Sequence, residues 1–350
     1  MTRLYLDHAA TTPLLPEARA AMAEALGRWA NPSSPHAEGR AARAALEDAR
    51  ARIAQTLGCT GTLIFTSGAT EAVEIVLRRA KAVGRAISAI EHDAVRRAVP
   101  EAAIIPVNRQ GLVELAGGAE RGGLVAVQAV NNETGVIQPL GEIGRAIRDS
   151  GGLLLADCAQ AAGKMTLPDA DFIAVSAHKL GGPPGIGALL VRDLATLEPS
   201  GGQELGYRAG TENLPAALAF AAALEARADW LGRAAALRER LDKAIREGGG
   251  VVVADGAQRM PTIASYHMPG IAATTQLIRF DMEGIAVSAG SACSSGSMKP
   301  SHVLAAMGWD EKAAREVIRI SFGPGTLEED VDRVARVWRA IAGSTRAEAA

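Results

Sequence analysis

The chain has 350 residues, of which 48% are hydrophobic and 22% charged, and its formal net charge is -2. This length and composition are typical of a globular protein with two domains. The sequence has no block of basic residues, which argues against nucleic-acid binding. No apolar run reaches the ~18 residues of a membrane span, and the first residues lack the apolar core of a signal peptide. The three cysteines are widely spaced, which argues against disulfides and against a metal site. We therefore expect a cytoplasmic protein.

Strands and helices alternate through the first two thirds of the chain. After a short extended segment at 4–13, helical patterns cover residues 16–29 and 41–57. Predicted strands follow at residues 62–66, 86–90, 103–107, 124–130, 153–156, 172–175 and 187–191. These strands are almost wholly apolar, as strands covered on both faces are. The pattern predicts an α/β domain with a mostly parallel sheet of seven strands.

A smaller unit is predicted beyond the Gly248–Gly250 run, which follows a long helical stretch at 215–247. Its predicted strands cover 251–254, 263–267 and 317–322, and its helices cover 275–282 and 327–342. We expect a large α/β domain over residues 14–247. Residues 1–13 and 248–350 would form a small α+β domain.

Lys179 is the first candidate for chemistry. It is one of six lysines against 31 arginines, and it follows the apolar run 172–175 and precedes a Gly/Pro turn. A lysine amine, unlike a guanidinium, can lose its proton and form a Schiff base. The alternative is a loop lysine that faces solvent.

Two other strand ends carry groups that suit the same ligand. The turn Ser67–Thr70 precedes a helix, whose free N–H groups attract a phosphate, although an ordinary capping turn would look alike. Asp157 ends an apolar strand and needs a partner, either a protonated pyridine nitrogen or an arginine. Ser176 and His178 are possible phosphate donors. With Lys179, these groups meet the binding needs of pyridoxal phosphate.

Four more residues could serve the same site. The stretch 131–135, which includes Asn132, follows a strand and could hydrogen-bond the cofactor hydroxyl. His92 could stack on the cofactor ring or be a satisfied surface or core histidine. Cys293, in a Gly/Ser-rich loop, suits a nucleophilic thiol, the alternative being an incidental surface cysteine. Arg319 interrupts an apolar strand and could hold a carboxylate through two parallel bonds, or face water on an edge strand. Cys59 and Cys158 are interpreted as structural, with Cys158 possible near the cofactor.

The assembled motifs resemble the cysteine desulfurases of the NifS/IscS type, within the class V aminotransferase family. The matching stretches, in chain order, are residues 6–13, 66–71, 131–135, 157–160, 176–179, 208–211 and 288–293. The Gly-Ser-Ala-Cys context of Cys293 resembles group I of these enzymes. The resemblance implies fold type I of the pyridoxal-phosphate enzymes. It also implies a homodimer with active sites shared across the interface.

The resemblance implies a role for each matched residue. Lys179 would bind pyridoxal phosphate as a Schiff base, Asp157 would pair with its ring nitrogen, and His92 would stack on the ring and move protons. Near the phenolic oxygen would lie Asn132 and Gln160. The phosphate would be bound by Ala69, Thr70, Ser176, His178 and, from the partner subunit, Thr211.

The same resemblance implies the reaction. Arg319, with Asn132, would bind L-cysteine by its carboxylate, and Cys293 would take its sulfur as a persulfide, releasing L-alanine. The sulfur would pass to an acceptor or iron-sulfur scaffold protein for cluster assembly or thiolation. The alternatives are a selenocysteine lyase, another class V enzyme such as an aminotransferase, and a non-catalytic subunit that kept the fold. Cys293 argues against the aminotransferase, which has no use for a thiol.

Overall fold

The computed structural model describes residues 3–28, 30–115, 122–226, 230–289 and 300–348. Cys293 lies outside the described residues. The strands are β1 (Leu4–Tyr5), β2 (Thr62–Thr66), β3 (Arg85–Ser88), β4 (Ala103–Ile105), β5 (Leu124–Gln128), β6 (Leu153–Asp157), β7 (Phe172–Ser176), β8 (Gly187–Val191), β9 (Val251–Val252), β10 (Ile263–His267), β11 (Ile285–Ala286) and β12 (Val317–Ser321). The helices are α1 (Pro16–Leu26), α2 (Ala37–Leu57), α3 (Ala69–Arg79), α4 (Asp93–Ala98), α5 (Leu140–Asp149), α6 (Leu214–Glu225), α7 (Leu231–Glu247), α8 (Ala273–Met282), α9 (His302–Ala306), α10 (Glu311–Ala314) and α11 (Glu328–Glu348).

The large sheet has seven strands in the order β2-β8-β7-β6-β5-β3-β4. Its pairs from β7 through β4 are parallel, whereas β8 runs antiparallel to both of its neighbours. The predicted mostly parallel sheet of seven strands is therefore confirmed. Because the parallel strands share one direction, the residues that follow β5, β6 and β7 meet at one edge of the sheet.

Helices cover both faces of this sheet, which explains why its strands are apolar along their whole length. Phe65 and Val125 lie in one core with Leu46 of α2 and Phe220 of α6. The alternate positions on β2 and β5 lie in a second core, on the opposite face, with Val76 of α3. Side chains of a strand alternate between the two faces, so each strand contributes to both cores.

A smaller antiparallel sheet, β12-β10-β9, and the parallel pair β1-β11 form the second part of the fold. Its core contains Tyr266, Phe280 and Trp338, and it also takes up Leu237 and Leu241 from α7. The division of the chain at residue 247 stays a prediction. We propose that the boundary precedes α7, because α7 packs its apolar side chains into this smaller core.

Several helical predictions differ from the structure at their ends, and two of these differences have a clear cause. The predicted stretch 215–247 is two helices, α6 and α7. Because α6 is Ala-rich and buried almost all round, no polar face marks where it ends. Helix α2 begins four residues before the predicted start, because Nδ1 of His36 accepts the N–H of Gly39 over 3.2 Å and caps the helix. None of the helices in the described part of the chain has the length and apolar character of a membrane span.

Candidate active site

A cleft of about 540 Å³ opens at the carboxyl edge of the large sheet. The residues predicted for the site that line it are Ala69, Thr70, His92, Asn132, Asp157, Gln160, Ser176, His178, Lys179 and Arg319. The fold thus brings together side chains from β6, β7 and β12 with those of loops and helix starts. Thr211 does not line this cleft and is exposed.

The turn between β2 and α3 is the segment for which a phosphate cup was predicted. No side chain caps the N terminus of α3, and its cap residue Gly68 has a φ of 153°, which favours glycine. The backbone is so close here that a Cβ on Gly187 would lie 2.6 Å from the Cα of Gly68. Ser176 and Thr70 line the cleft beside this turn. Free N–H groups, a helix dipole and hydroxyls form a donor set that suits a phosphate.

Lys179 lies in a single 3-10 turn that directly follows β7. Its Nζ donates to the carbonyl oxygens of Ala9 at 2.7 Å and Ala10 at 2.8 Å. Burial, with a smaller contribution from Arg319, lowers the pKa of Lys179 to about 8, while Asp157 and Asp7 act in the opposite direction. About a tenth of this amine is therefore neutral and nucleophilic at pH 7, far more than for an ordinary lysine.

Asp157 ends β6, next to the strand of Lys179. Its Oδ1 accepts the N–H of Ala159 over 2.9 Å. Burial raises the pKa of Asp157, although that N–H, His92 and Lys179 each lower it. A carboxyl group in this setting gains from a cation placed in the cleft, since the cation would restore its ionised form. A protonated ring nitrogen would be such a cation.

Gln160 and His92 offer polar atoms to the same space. Gln160 donates from Nε2 to the carbonyl of Ala9 over 2.8 Å, whereas its buried Oε1 has no partner among the described residues. His92 accepts the N–H of Ala94 at Nδ1 over 3.1 Å, and surrounding protein lowers its pKa. The neutral ring therefore carries its proton on Nε2, from which it can donate.

Arg319 lies in β12 of the smaller sheet, lines the cleft and is 5% exposed. Its Nη2 pairs with Oδ1 of Asp7 over 2.7 Å, and its Nη1 donates to the carbonyl of Asn132 over 3.0 Å. Its buried Nε has no partner in the described part of the chain. The arginine thus faces the cleft in a fixed position, and it does not face water on an edge strand.

The other histidine and cysteine predictions have different settings. His178 Nδ1 lies 3.2 Å from the hydroxyl of Thr11, and burial followed by Lys179 lowers its pKa to about 4. His178 is therefore neutral at the mouth of the cleft. Cys158 is fully buried, and burial raises the pKa of its thiol well above the ordinary value. A buried, protonated thiol of this kind suits a structural role.

Asp7 is the main residue of this site that sequence reasoning missed. It lines the cleft, and it pairs with an arginine 312 positions further along the chain. The motif at 6–13 marked this segment but gave its aspartate no role. The carbonyls of Ala9 and Ala10, which bind Lys179, were missed because backbone groups leave no trace in residue type.

The seven-stranded sheet and the lysine that directly follows β7 fit fold type I of the pyridoxal-phosphate enzymes, the class to which the structural relatives belong. The chain matches the family Aminotransferase class-V over residues 4–334, and it therefore belongs to this family. The IscS-like cysteine desulfurase of Mycobacterium tuberculosis is 36% identical, over 98% of this chain and 97% of that protein.

Solved structures give the same result. The NifS-like protein of Rickettsia africae is 32% identical and has a TM-score of 0.88, covering 97% of this chain and 99% of that one. SspA, solved in complex with cysteine, is 29% identical with a TM-score of 0.80, covering 93% of this chain and 100% of that one. The relatives extend over almost the whole of this chain.

Proposed function

We propose that the protein is a cysteine desulfurase that uses pyridoxal phosphate. The observation that carries the proposal is the position of Lys179, whose amine has a lowered pKa in a cleft that also contains Asp157 and Arg319. The cysteine desulfurases among its relatives support the reaction. They do not favour a selenocysteine lyase or another class V activity.

The residues of the cleft fit the cofactor. The uncapped helix start at Gly68 suits its phosphate, and the carboxyl of Asp157 suits its ring nitrogen. Oε1 of Gln160 is an acceptor that meets no donor in the described part of the chain, and a phenolic hydroxyl would supply one. Lys179 would hold the cofactor covalently, with His92 beside its ring. When bound, pyridoxal phosphate supplies an electron sink for the substrate carbon.

Arg319 and Asn132 would orient the substrate. The guanidinium is fixed by Asp7 and by the carbonyl of Asn132. Its Nε has no acceptor among the residues that the structure describes, so it could still donate a hydrogen bond. A carboxylate bound here would be held beside Lys179, which also lines the cleft. We expect L-cysteine to bind in this way.

The chain's own groups would then move protons and sulfur. Lys179, released by the substrate, is neutral often enough to accept a proton, and His92 can donate from Nε2. The thiolate of Cys293 would attack the substrate sulfur, so that an S–S bond forms as the C–S bond breaks. The electron pair of the C–S bond stays with the substrate carbon. The proton that the Cys293 thiol lost when it became a thiolate ends on that carbon, which becomes the methyl group of L-alanine. The reaction therefore needs no external reductant.

The sulfur on Cys293 must pass to an acceptor, and we propose an acceptor protein of the iron-sulfur or thiolation class. We also propose a homodimer in the cytoplasm. Thr211 is exposed between two ion pairs, Arg208–Glu71 at 3.0 Å and Arg43–Glu212 at 3.4 Å, which suits a residue that reaches a partner subunit. Mixing Lys179→Ala and Thr211→Ala subunits should restore activity if sites are shared.

The function is tested by two variants. Cys293→Ser should keep the visible absorbance of the bound cofactor and stop production of alanine and persulfide. Lys179→Ala should lose that absorbance band. Cys158→Ser is the matched control, since its thiol is buried, and it should retain desulfuration. Alanine formation by Cys293→Ser at the wild-type rate would reject the role of Cys293, and an unchanged spectrum in Lys179→Ala would reject that of Lys179.

A further inference from the structure

A carboxylate outside the cleft binds the turn that suits the cofactor phosphate. Glu71 stands in the first turn of α3, and its Oε2 accepts the N–H of Ser67, the first residue of that turn. Ser67 lines the cleft, whereas Glu71 lines a separate surface pocket of about 250 Å³. Glu71 therefore holds the turn without occupying the space that a ligand would take.

The hydrogen bond of Glu71 uses one N–H of the turn and leaves others for a ligand. The N–H of Ser67 is taken by Glu71. The N–H groups of Ala69 and Thr70 have no acceptor in the described part of the chain, and both residues line the cleft. These free groups at the helix start are the donors that a phosphate would accept. Glu71 thus fixes the turn at its first residue while the donors that follow stay free.

The same carboxylate would repel a phosphate if its charge were not compensated. Glu71 directly follows Thr70 in the chain, so its negative charge lies near any phosphate bound at this helix start. The Glu71 side chain is 28% exposed, and like charges repel more strongly where water reaches only part of a group. A counter-charge on Glu71 should therefore favour the binding of a phosphate.

Arg208 supplies this counter-charge. Its Nε donates to Oε1 of Glu71 over 3.0 Å, and its side chain is 19% exposed. Its Nη1 donates to the carbonyl of Gly210 over 3.4 Å. Because both side chains are partly buried, salt and water screen this pair less than a fully exposed pair. Arg208 belongs to the matched stretch 208–211, but the resemblance gave it no role.

The backbone around Arg208 is fixed against the strand that leads into the turn. Gln203 and Arg208 exchange backbone hydrogen bonds of 3.0 and 3.3 Å. The next residue, Glu204, is buried, pairs with Arg50 at 2.6 Å and accepts the N–H of Phe65 in β2 over 2.7 Å. Arg208 is therefore held at the position from which it meets the carboxylate on α3.

We infer that Glu71 and Arg208 are positioning residues of the phosphate cup: Glu71 fixes the turn through the N–H of Ser67, and Arg208 compensates the charge of Glu71. Neither side chain lines the cleft, so both act through the turn and not by touching the ligand. The inference rests on the proposed function, since it takes the ligand to be pyridoxal phosphate. The pair should therefore affect the binding of the cofactor phosphate and leave that of the pyridine ring and aldehyde unchanged.

Arg208→Ala tests the inference in the full chain freed of its cofactor, with pyridoxal phosphate and pyridoxal as probes. Fluorescence titration should give an affinity for pyridoxal phosphate about fivefold weaker than wild type, and a change of less than about twofold for pyridoxal. Adding Glu71→Gln removes the uncompensated charge and keeps an acceptor for the N–H of Ser67. The double variant should therefore bind pyridoxal phosphate within about twofold of wild type.

Arg78→Ala is the matched control, because Arg78 pairs with Glu74 at 2.9 Å one turn further along α3. It should change neither affinity by more than about twofold. Equal losses for the two probes in Arg208→Ala would overturn the inference, as would a double variant that stays as weak as Arg208→Ala. An equal loss of affinity for pyridoxal phosphate in Arg78→Ala would overturn it too.

The same titrations separate the inference from the proposed function. If wild type binds pyridoxal phosphate no better than pyridoxal, there is no phosphate cup and the inference fails. If wild type binds pyridoxal phosphate but forms no alanine from cysteine, the proposed function fails, and the affinities of the variants still decide the role of the pair.

Discussion

The guanidinium of Arg319 and the carboxylate of Asp7 meet across 2.7 Å at the wall of the cleft, with side chains that are 6% and 22% exposed. This pair joins the N-terminal segment to β12. It also keeps Arg319 turned toward the position that a substrate carboxylate would take. Removing either partner leaves a charge that water reaches poorly.

Asp7→Asn should therefore destabilise the protein by about 2–3 kcal/mol, toward the lower side of the range for a broken buried pair because Asp7 is partly exposed. Urea denaturation with and without the substitution measures the change. Asp281→Asn, which breaks the exposed pair of Arg3 and Asp281, is the matched control and should change stability by less than about 0.5 kcal/mol. If the free energy of unfolding falls by a similar amount in both variants, burial of the Asp7–Arg319 pair does not increase its contribution to stability.

Cofactor uptake should depend on pH through Lys179. Its pKa of about 8 means that the neutral amine, the form that attacks an aldehyde, makes up half of the population at about pH 8 and nearly all of it above about pH 9. The rate at which the apoprotein takes up pyridoxal phosphate should rise about tenfold per pH unit below pH 7 and level off above pH 9. Stopped-flow absorbance gives this profile. A midpoint near 10.5, the ordinary lysine value, would contradict the lowered pKa.

Glu91 should make stability depend on pH. It is fully buried, its Oε1 accepts from Ser88 Oγ at 2.5 Å and from the N–H of Gln128 at 2.8 Å, and burial raises its pKa from 4.5 to about 8. The folded state thus keeps a proton that the unfolded chain releases above pH 4.5. The protonated form of Glu91 therefore adds to the free energy of unfolding. This contribution is fully present below pH 4.5, the pKa in the unfolded chain, and is lost as the pH rises through about 8, the pKa in the folded protein.

The neutral variant Glu91→Gln can accept the same two hydrogen bonds and does not titrate. Between pH 5 and 9 it should therefore gain a few kcal/mol relative to wild type. Urea denaturation at pH 5, 7 and 9 measures this difference. A constant difference across that range would mean that Glu91 is already ionised in the folded protein.

Gly187→Ala should damage the phosphate cup. A Cβ there would lie 2.3 Å from the carbonyl oxygen of Val175 and 2.6 Å from the Cα of Gly68, so backbone must move. We expect a loss of more than about 2 kcal/mol of stability and at least a tenfold weaker affinity for pyridoxal phosphate. Gly141→Ala, in α5 with open space around it, is the control and should leave both unchanged or slightly improve stability. Fluorescence titration of the apoproteins decides between these results.

Much of the site was predictable because it depends on strand ends. Asp157 and Lys179 each follow an apolar strand, and parallel strands place such residues at one edge. Lys179 and Asp157 could thus be assigned to one site from the sequence, before any contact between residues was known. The strand order was not predictable in this way, since pairing such as that of β2 with β8 joins residues more than 120 positions apart.

Other parts of the site were beyond sequence reasoning for a physical reason. The partners of Arg319 and Lys179 are a distant carboxylate and two main-chain carbonyls, and no local pattern encodes either. Helix ends were misplaced where a side chain decides them, as His36 does for α2. The roles of all the site residues stay predictions. For Cys293 and Thr211 the structure does not give a position in the cleft either, because Cys293 lies outside the described residues and Thr211 lies outside the cleft.

The pairing of Asp7 with Arg319 has a consequence for biosynthesis. A ribosome that has made Asp7 must add 312 more residues before its cation exists. The lysine and acid of β6 and β7, by contrast, are complete once residue 179 has left the exit tunnel. Arg319 is therefore the last of the charged side chains that line the cleft to be synthesised, 140 residues after Lys179, and this wall of the cleft cannot form until β12 has been made.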